Sequence, residues 1–282
     1  MAPPGLRVRP VGHGELDLVL EWAQAEGWSP GRADAGTFWA TDPGGFIIAE
    51  LDGGPVGAIS AVRYGVEYGV IGLHLVRAPD RGRGIGHSLW LHAMARLAGR
   101  TISIDGLEEQ AHRYAQWGFV PAHGLVRHGA RAADLAHGDV IATRPARDIP
   151  MPRLQALDRC CFPAPRAAFL RRWIGPPHRA LVAEHDGAAV GLGVIRSCHD
   201  AHRVGPLVAR DPRTAEGLLR ALVAPLEDAW VLLDVPDANP AAAALAARLR
   251  MTPVMRRTRM YTGAPPTINI ERVYGVTTLD LG

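Results

Sequence analysis

The residues best suited to chemistry lie between Arg81 and Gly86, in the run Arg-Gly-Arg-Gly-Ile-Gly. Gly82, Gly84 and Gly86 remove side-chain bulk, so successive backbone N–H groups can converge on one ligand. Arg81 and Arg83 add full positive charge, and a helix predicted to begin at Ile85 adds the partial charge of its N-terminus. Together these fit a phosphorylated ligand, foremost a pyrophosphate. Three readings of the loop compete. It can be a plain glycine-rich turn between strand and helix. It can be a dinucleotide loop, because Asp105 closes a predicted strand at about the separation expected of a ribose-binding acid. Against that stand the glycine order, with His87 and Ser88 after Gly86, and the stretch Arg77–Arg81 between strand and loop. The third reading is the spacing arginine, two residues, glycine, one residue, glycine: Arg81, Gly84, Gly86.

An apolar strand over Val70–Val76 delivers the chain to this loop. The helix beyond it sets Leu89, His92/Ala93 and Arg96/Leu97 at helical spacing. Upstream, Leu6–Val11 predicts a strand, and Glu15–Glu26 a helix with Leu16, Val19, Leu20 and Ala23 on one face. Asp34–Thr41 predicts a short helix. Gly45–Leu51 and Val56–Tyr64 predict a hairpin about an Asp-Gly turn. Downstream come a strand over Thr101–Asp105, a helix over Glu108–Gln116 and a strand entered at Gly118-Phe119-Val120.

The pattern then recurs. The run from Ala180 matches that from Phe46 at an offset of 134 residues, and Arg210-Asp-Pro matches Arg77-Ala-Pro at an offset of 133. Asp234 closes a strand as Asp105 does. A near-constant offset over three elements implies two copies of one α/β unit, joined around Pro145–Pro152.

Composition narrows the partners. The chain has 282 residues, 48% hydrophobic and 21% charged, enough for two packed units. A net charge of +3 is too mild to argue for nucleic acid. The three cysteines, Cys160, Cys161 and Cys198, fit reduced thiols. No C-x-x-C or H-E-x-x-H spacing predicts a metal. No signal-peptide core or membrane-length apolar run is present, so a cytoplasmic protein with no membrane partner is expected.

The Arg81–Gly86 loop, taken with Tyr114-Ala-Gln-Trp-Gly118-Phe119, resembles the GNAT N-acetyltransferases. The element order over residues 6–143 resembles a complete GNAT domain, and the doubling resembles the tandem YitH/HolE-type bacterial acetyltransferases over nearly the whole chain. The resemblance implies an α/β (α+β) tandem GNAT fold of two mixed-sheet domains. Residues 1–144 would be the catalytic domain and residues 145–282 a degenerate copy. In the second copy the positions aligned with Arg81, Gly84 and Gly86 are Thr214, Gly217 and Leu219, and Ala246 stands where the first has Tyr114. Asn239 and Ala242 fit the family's asparagine-alanine pattern, where the first copy has Leu107 and Gln110.

The resemblance also implies acetyl-CoA as co-substrate and no metal. Arg81 and the backbone of Gly82, Arg83, Gly84, Ile85, Gly86 and His87 would hold the pyrophosphate. The backbone of Leu75 and Val76 would pair with the pantetheine arm, leaving the Val76 N–H as oxyanion donor. Tyr114 would protonate the departing thiolate. For the base, His74 on the cofactor strand comes first, with Glu67 and Asp105 as rivals. Trp28, Phe38, Trp39 and Tyr64 are aromatic candidates for the acceptor pocket, each equally able to be core. The segment Glu271–Leu281 alternates as a strand that completes a sheet or crosses the domain boundary. The expected reaction is acetyl transfer to the amine of a small molecule, such as an antibiotic-like metabolite, by direct attack in a ternary complex. A protein-lysine acetyltransferase and a non-catalytic acetyl-CoA sensor are the alternatives, and a homodimer is left open.

Overall fold

The computed structural model describes residues 3–282. The first half runs β1 (Arg7–Pro10), α1 (Leu16–Ala25), α2 (Asp34–Thr41), β2 (Phe46–Leu51), β3 (Gly54–Tyr64), β4 (Tyr68–Val76), α3 (Ile85–Arg96), β5 (Thr101–Gly106), α4 (Ala111–Ala115), β6 (Phe119–Arg131) and α5 (Ala132–Ala136). The second runs β7 (Arg144–Pro145), α6 (Met151–Cys161), α7 (Ala167–Trp173), β8 (Arg179–His185), β9 (Ala188–Ser197), β10 (His202–Ala209), α8 (Pro212–Val223), β11 (Trp230–Pro236), α9 (Pro240–Arg248), β12 (Thr252–Thr262) and β13 (Val273–Gly275).

Local chemistry accounts for most of these elements. Helix α1 buries Leu16, Val19, Leu20 and Ala23, the predicted face. The β2–β3 hairpin turns at Asp52 and Gly53, both with left-handed φ, as a tight two-residue turn requires. Strand β2 is apolar except at Glu50, which pairs with Arg9, because both its faces are covered. Phe46 and Ile48 pack toward α1, α2, α6 and α7, in a core that the two halves share. Ile47 and Ala49 pack toward α3 with Ile85, Leu89 and Leu97. A separate core lies between α8, α9 and the strands of the second half. Full burial of one large apolar side chain stabilises by roughly 1.5–3 kcal/mol, so the shared core is a strong bond between the halves.

The strands form one 13-stranded mixed sheet in the order β1-β2-β3-β4-β5-β12-β6-β11-β10-β9-β8-β7, with β13 alongside β10. The halves exchange their long strands. Strand β6 leaves the first half to pair with β11 through Val126↔Val235 and Gly129↔Leu232. Strand β12 leaves the second half to pair with β5 through Ile104↔Met260. The two exchanged strands run antiparallel to each other at the centre, with Gly124↔Thr258 and Leu125↔Arg257 in register. A division at residues 144/145 therefore does not coincide with the division of the sheet.

Two features of β4 shape the site. It pairs in parallel with β5 only from Tyr68↔Thr101 to Ile71↔Ile104; beyond Ile71 the two strands part. At the same level the β3–β4 register shifts between Ala58 and Ser60, and Leu73 takes a left-handed φ of 45°. This is a β-bulge, which twists a strand away from its neighbour.

Candidate active site

The cleft opens where β4 leaves β5. Its main cavity, about 350 Å³, runs from Arg81 and Glu26 along Ile71–Val76 to the end of β5, and is also lined by Arg127, Arg203, Arg257 and Asp280. A second cavity, about 400 Å³, lies beside the start of α3 and is lined by Gly86, His87, Trp90 and Trp117. His74, Gln110 and Tyr114 line both.

The Arg81–Gly86 loop forms as its composition requires. Gly82 and Gly84 have φ values of 78° and 81°, open to glycine and strained for other residues. Gly84 is the N-cap of α3, and no side chain caps that helix. The N–H groups of residues 82–87 find no backbone acceptor among the described residues. The loop is therefore a set of free donors at a helix N-terminus, a ready anion site. Arg81 bonds the Val76 carbonyl through Nε at 2.9 Å and pairs with Glu26, which ties the end of α1 to the loop. Arg83 pairs with Asp80 at 2.9 Å.

Tyr114 stands on α4 with its ring over the end of β5. A Cβ on Gly106 would come within 2.9 Å of the Tyr114 ring, so glycine at that position makes room for it. Trp90 and Phe119 pack on the ring at 5.5 and 6.3 Å. Burial raises the Tyr114 pKa, opposed by Arg257 and Arg113, and keeps the phenol protonated. His74 is half-buried on β4, its Nε2 3.0 Å from the Gly86 carbonyl. Only an Nε2–H can donate to a carbonyl, which leaves Nδ1 as the sole acceptor. Burial lowers its pKa, with the Gly86 bond opposing, so the ring is neutral at neutral pH.

The other base candidates fare differently. Glu67 precedes β4, at the end away from the cleft, and all nine residues of that strand separate it from the loop, roughly 30 Å at 3.3 Å per residue. Asp105 lines the cleft but is gripped by Arg259 of β12, which bonds Oδ2 through Nη2 at 2.7 Å and Oδ1 through Nε. Of the aromatic candidates, Trp28 lines the main cavity. Phe38 is core, stacked between Phe46 and Trp173. Trp39 sits edge-on to His13 at 4.6 Å. Tyr64 is buried and donates to the Leu281 carbonyl at 3.0 Å.

Among the described residues the loop geometry of the first half does not recur in the second. Eight residues, 77–84, link β4 to α3, whereas only Arg210 and Asp211 link β10 to α8. Thr214, Gly217 and Leu219 therefore fall inside α8 and not in a loop. The side chain of Asp211 caps that helix, accepting from the Thr214 N–H at 2.8 Å, so an internal carboxylate takes the place an anion would need. Asn239 is equally engaged. It caps α9 through Oδ1 and donates to the carbonyls of Glu271 and Val273, both at 2.9 Å.

The wall facing β4 was not legible as part of the site. Met255, Arg257, Leu279 and Asp280 come from β12 and the tail of the second half, and Arg127 from the exchanged β6. Only Leu279 and Asp280 had a sequence signal, the alternating segment Glu271–Leu281. Part of it, β13, pairs with β10, and the remainder crosses to the first half. Among the described residues no cluster of three metal-ligating side chains occurs, and no helix is long and apolar enough to cross a membrane.

Comparison with known proteins agrees with this architecture. The sequence profile of the Acetyltransferase (GNAT) family matches residues 16–119, and that of an Acetyltransferase (GNAT) domain matches residues 154–275. The holothin acyltransferase of Pseudoalteromonas sp. (strain SANK 73390) is 26% identical over 279 residues, covering 97% of this chain and 94% of the relative. A putative acetyltransferase from Pyrococcus horikoshii superposes with a TM-score of 0.84 at 22% identity, covering 100% of this chain and 98% of the other. A tandem GNAT protein from the clavulanic acid biosynthesis pathway superposes with a TM-score of 0.65 at 20% identity, covering 93% and 99%. With one profile on each half and a free-donor loop in the first, the chain belongs to the GNAT family as an acyltransferase with two GNAT domains in tandem.

Proposed function

We propose that the protein transfers an acetyl group from acetyl-CoA to the amine of a small molecule, by direct attack in a ternary complex in the first half. The observation that carries this reading is the set of unpartnered N–H groups at residues 82–87, beside the cleft that Tyr114 lines. The residues present fit acetyl-CoA. Arg81 and the backbone of Gly82–His87 would take the pyrophosphate, and the parted edge of β4 at Leu75 and Val76 the pantetheine arm. Trp90, 4% exposed, adds an indole N–H without a partner at the wall of the second cavity.

When bound, acetyl-CoA supplies an activated thioester carbonyl. The protein does the rest. The Val76 N–H offers a fixed donor to charge developing on oxygen, and Tyr114, kept protonated by burial, gives a proton to the departing sulfur. His74 fastens β4 to the first turn of α3 through Gly86, which sets strand and loop at a fixed spacing. The small-molecule acceptor is supported by the wall that β12 and the tail set opposite β4, which narrows the approach for a protein substrate. The holothin acyltransferase relative points the same way. We place the reaction in the cytoplasm.

Calorimetric titration with acetyl-CoA tests the donor: one site per chain is expected, followed by thiol release that depends on an added primary amine. A protein that ignores acetyl-CoA would overturn the proposal.

A further inference from the structure

We propose that Asp280, on the carboxy-terminal tail, is the carboxylate that meets the acceptor amine in the cleft of the first half and takes its proton. This rests on the acetyl-transfer reading above and assigns the base that reading leaves open.

The tail is fixed where the chemistry would occur. A Cβ on Gly72 would lie 2.8 Å from the Asp280 Cα and 2.9 Å from its carbonyl carbon, so the tail backbone lies directly on β4. Gly72 immediately precedes the bulge at Leu73, where β4 leaves β5. Ser60 donates to the Asp280 carbonyl at 3.4 Å, and the N–H groups of Asp280 and Leu281 both bond Thr278 Oγ1, at 2.9 and 2.8 Å. The Tyr64 hydroxyl holds the next carbonyl. Asp280 lines the main cavity together with His74, Leu75, Val76 and Tyr114.

Its carboxylate is buried, with the residue 9% exposed, yet among the described residues it forms no ion pair within 4.0 Å. Three of the nearby guanidinium groups are engaged elsewhere, and Arg257, which lines the same cavity, lies beyond ion-pair distance of it. Arg127 and Arg203 both bond Asp234, at 2.7 Å each, and Arg196 pairs with Asp34. Burial raises the Asp280 pKa; Arg203 on β10, Arg127 on β6 and Arg196 on β9 act against it, and Asp34 on α2 adds to it. Arg257 on β12 also feels its charge. The net direction is upward, which makes the carboxylate a better proton acceptor than an exposed aspartate. Of the alternatives, Asp105 is tied up by Arg259, and His74, with Nε2 on the Gly86 carbonyl, keeps only Nδ1 as an acceptor.

The step balances. The amine lone pair attacks the thioester carbonyl carbon, the C–N bond forms and the C–S bond breaks. The proton lost by nitrogen goes to Asp280, the sulfur takes the proton of Tyr114, and proton transfer from Asp280 back to Tyr114 resets both. An amine that arrives as an ammonium ion loses its extra proton through Asp280 to water.

The test compares the full-length wild type with Asp280→Asn, using acetyl-CoA and benzylamine. Asparagine keeps the shape and removes a charge that burial already disfavours, so the variant should fold and bind acetyl-CoA normally. Its kcat/KM is expected to fall about 100-fold or more. The wild-type rate should fall with acid more steeply than the free-amine fraction does, and the variant should follow that fraction alone. Carboxyl ¹³C NMR provides a readout that needs no turnover. The resonance missing from the variant should titrate above the ordinary aspartate value of about 3.9 and move down when benzylamine is added. Wild-type kinetics in the variant, or a resonance that titrates normally and ignores benzylamine, would overturn the proposal. Absent acetyl-CoA binding would instead sink the acetyl-transfer reading, with the carboxyl titration still deciding whether Asp280 meets the amine.

Discussion

Arg259 grips Asp105 across the exchange of strands: a guanidinium on β12 of the second half holds the carboxylate that ends β5 of the first. The same arrangement recurs in the other half, where Arg127 of β6 holds Asp234 of β11 at 2.7 and 3.1 Å. Burial alone would raise the Asp234 pKa, but Arg127 and Arg203 reverse it and hold the group well below the usual carboxylate range. Each half thus supplies the strand and the cation that complete the other.

Arg259→Met would leave the Asp105 side chain, 2% exposed, without its counter-charge. Breaking a buried pair from one side costs about 3–5 kcal/mol. The urea midpoint should fall accordingly, and Arg259→Met with Asp105→Asn should recover part of the loss. An unchanged midpoint in the single variant would mean that water already reaches Asp105.

Tyr114→Phe should lower kcat by about 10²–10⁴ while calorimetry shows unchanged acetyl-CoA affinity. Because burial raises its pKa, the phenol is the acid form throughout the neutral range, and any alkaline fall in rate due to it should lie above about pH 10. Full activity in the variant would remove Tyr114 from the chemistry.

Gly86→Glu is expected to weaken acetyl-CoA binding by about 100-fold or more, equivalent to about 2.7 kcal/mol. The fold should be kept, since a Cβ there meets His74 Nε2 at 3.4 Å and Val76 Cγ2 at 3.5 Å, ordinary contact. Leu219 is no counterpart in the second half, because it is fully buried. Asp211→Ala is the better probe: it should cost about 1 kcal/mol for the lost cap and reveal no second binding site.

His74→Gln tests how the strand is fastened to the loop. In the folded protein the His74 pKa lies below its ordinary 6.5, so the unfolded chain takes up the proton first. The stability from the neutral ring is present above about pH 6.5 and lost as pH falls from there through the lower folded value. Between pH 8 and 5 the melting temperature of the glutamine variant should therefore decline less than that of the wild type. Equal slopes would show that His74 is not buried enough to sense pH.

A fragment of residues 3–144 should not give a stable monomer. It lacks β12, so β5 has a bare edge, and its own β6 has lost β11. Exposed edges of this kind pair between chains. Gel filtration should show self-association or aggregation, and a monodisperse folded monomer would mean that β6 can fold back onto β5.

Much of this was written locally. The left-handed turn at Asp52-Gly53, the glycines of the Arg81–Gly86 loop and the apolar face of α1 follow from backbone freedom and periodicity, which neighbouring residues decide. The repeat offset of 133 to 134 residues likewise announced two copies of one unit, and the resemblance of the Tyr114–Phe119 run to the GNAT family singled out Tyr114. What sequence could not decide was which copy a strand belongs to. Strands β6 and β12 occupy equivalent places in the two copies, and the local pattern of either suits both β5 and β11; only the assembled sheet selects between them. That choice puts Arg259 on Asp105, brings Arg257 to the cleft and draws the tail across Gly72. Asp280 reaches the site because of contacts more than 200 residues away in the chain, and no local signal encodes contacts at that range.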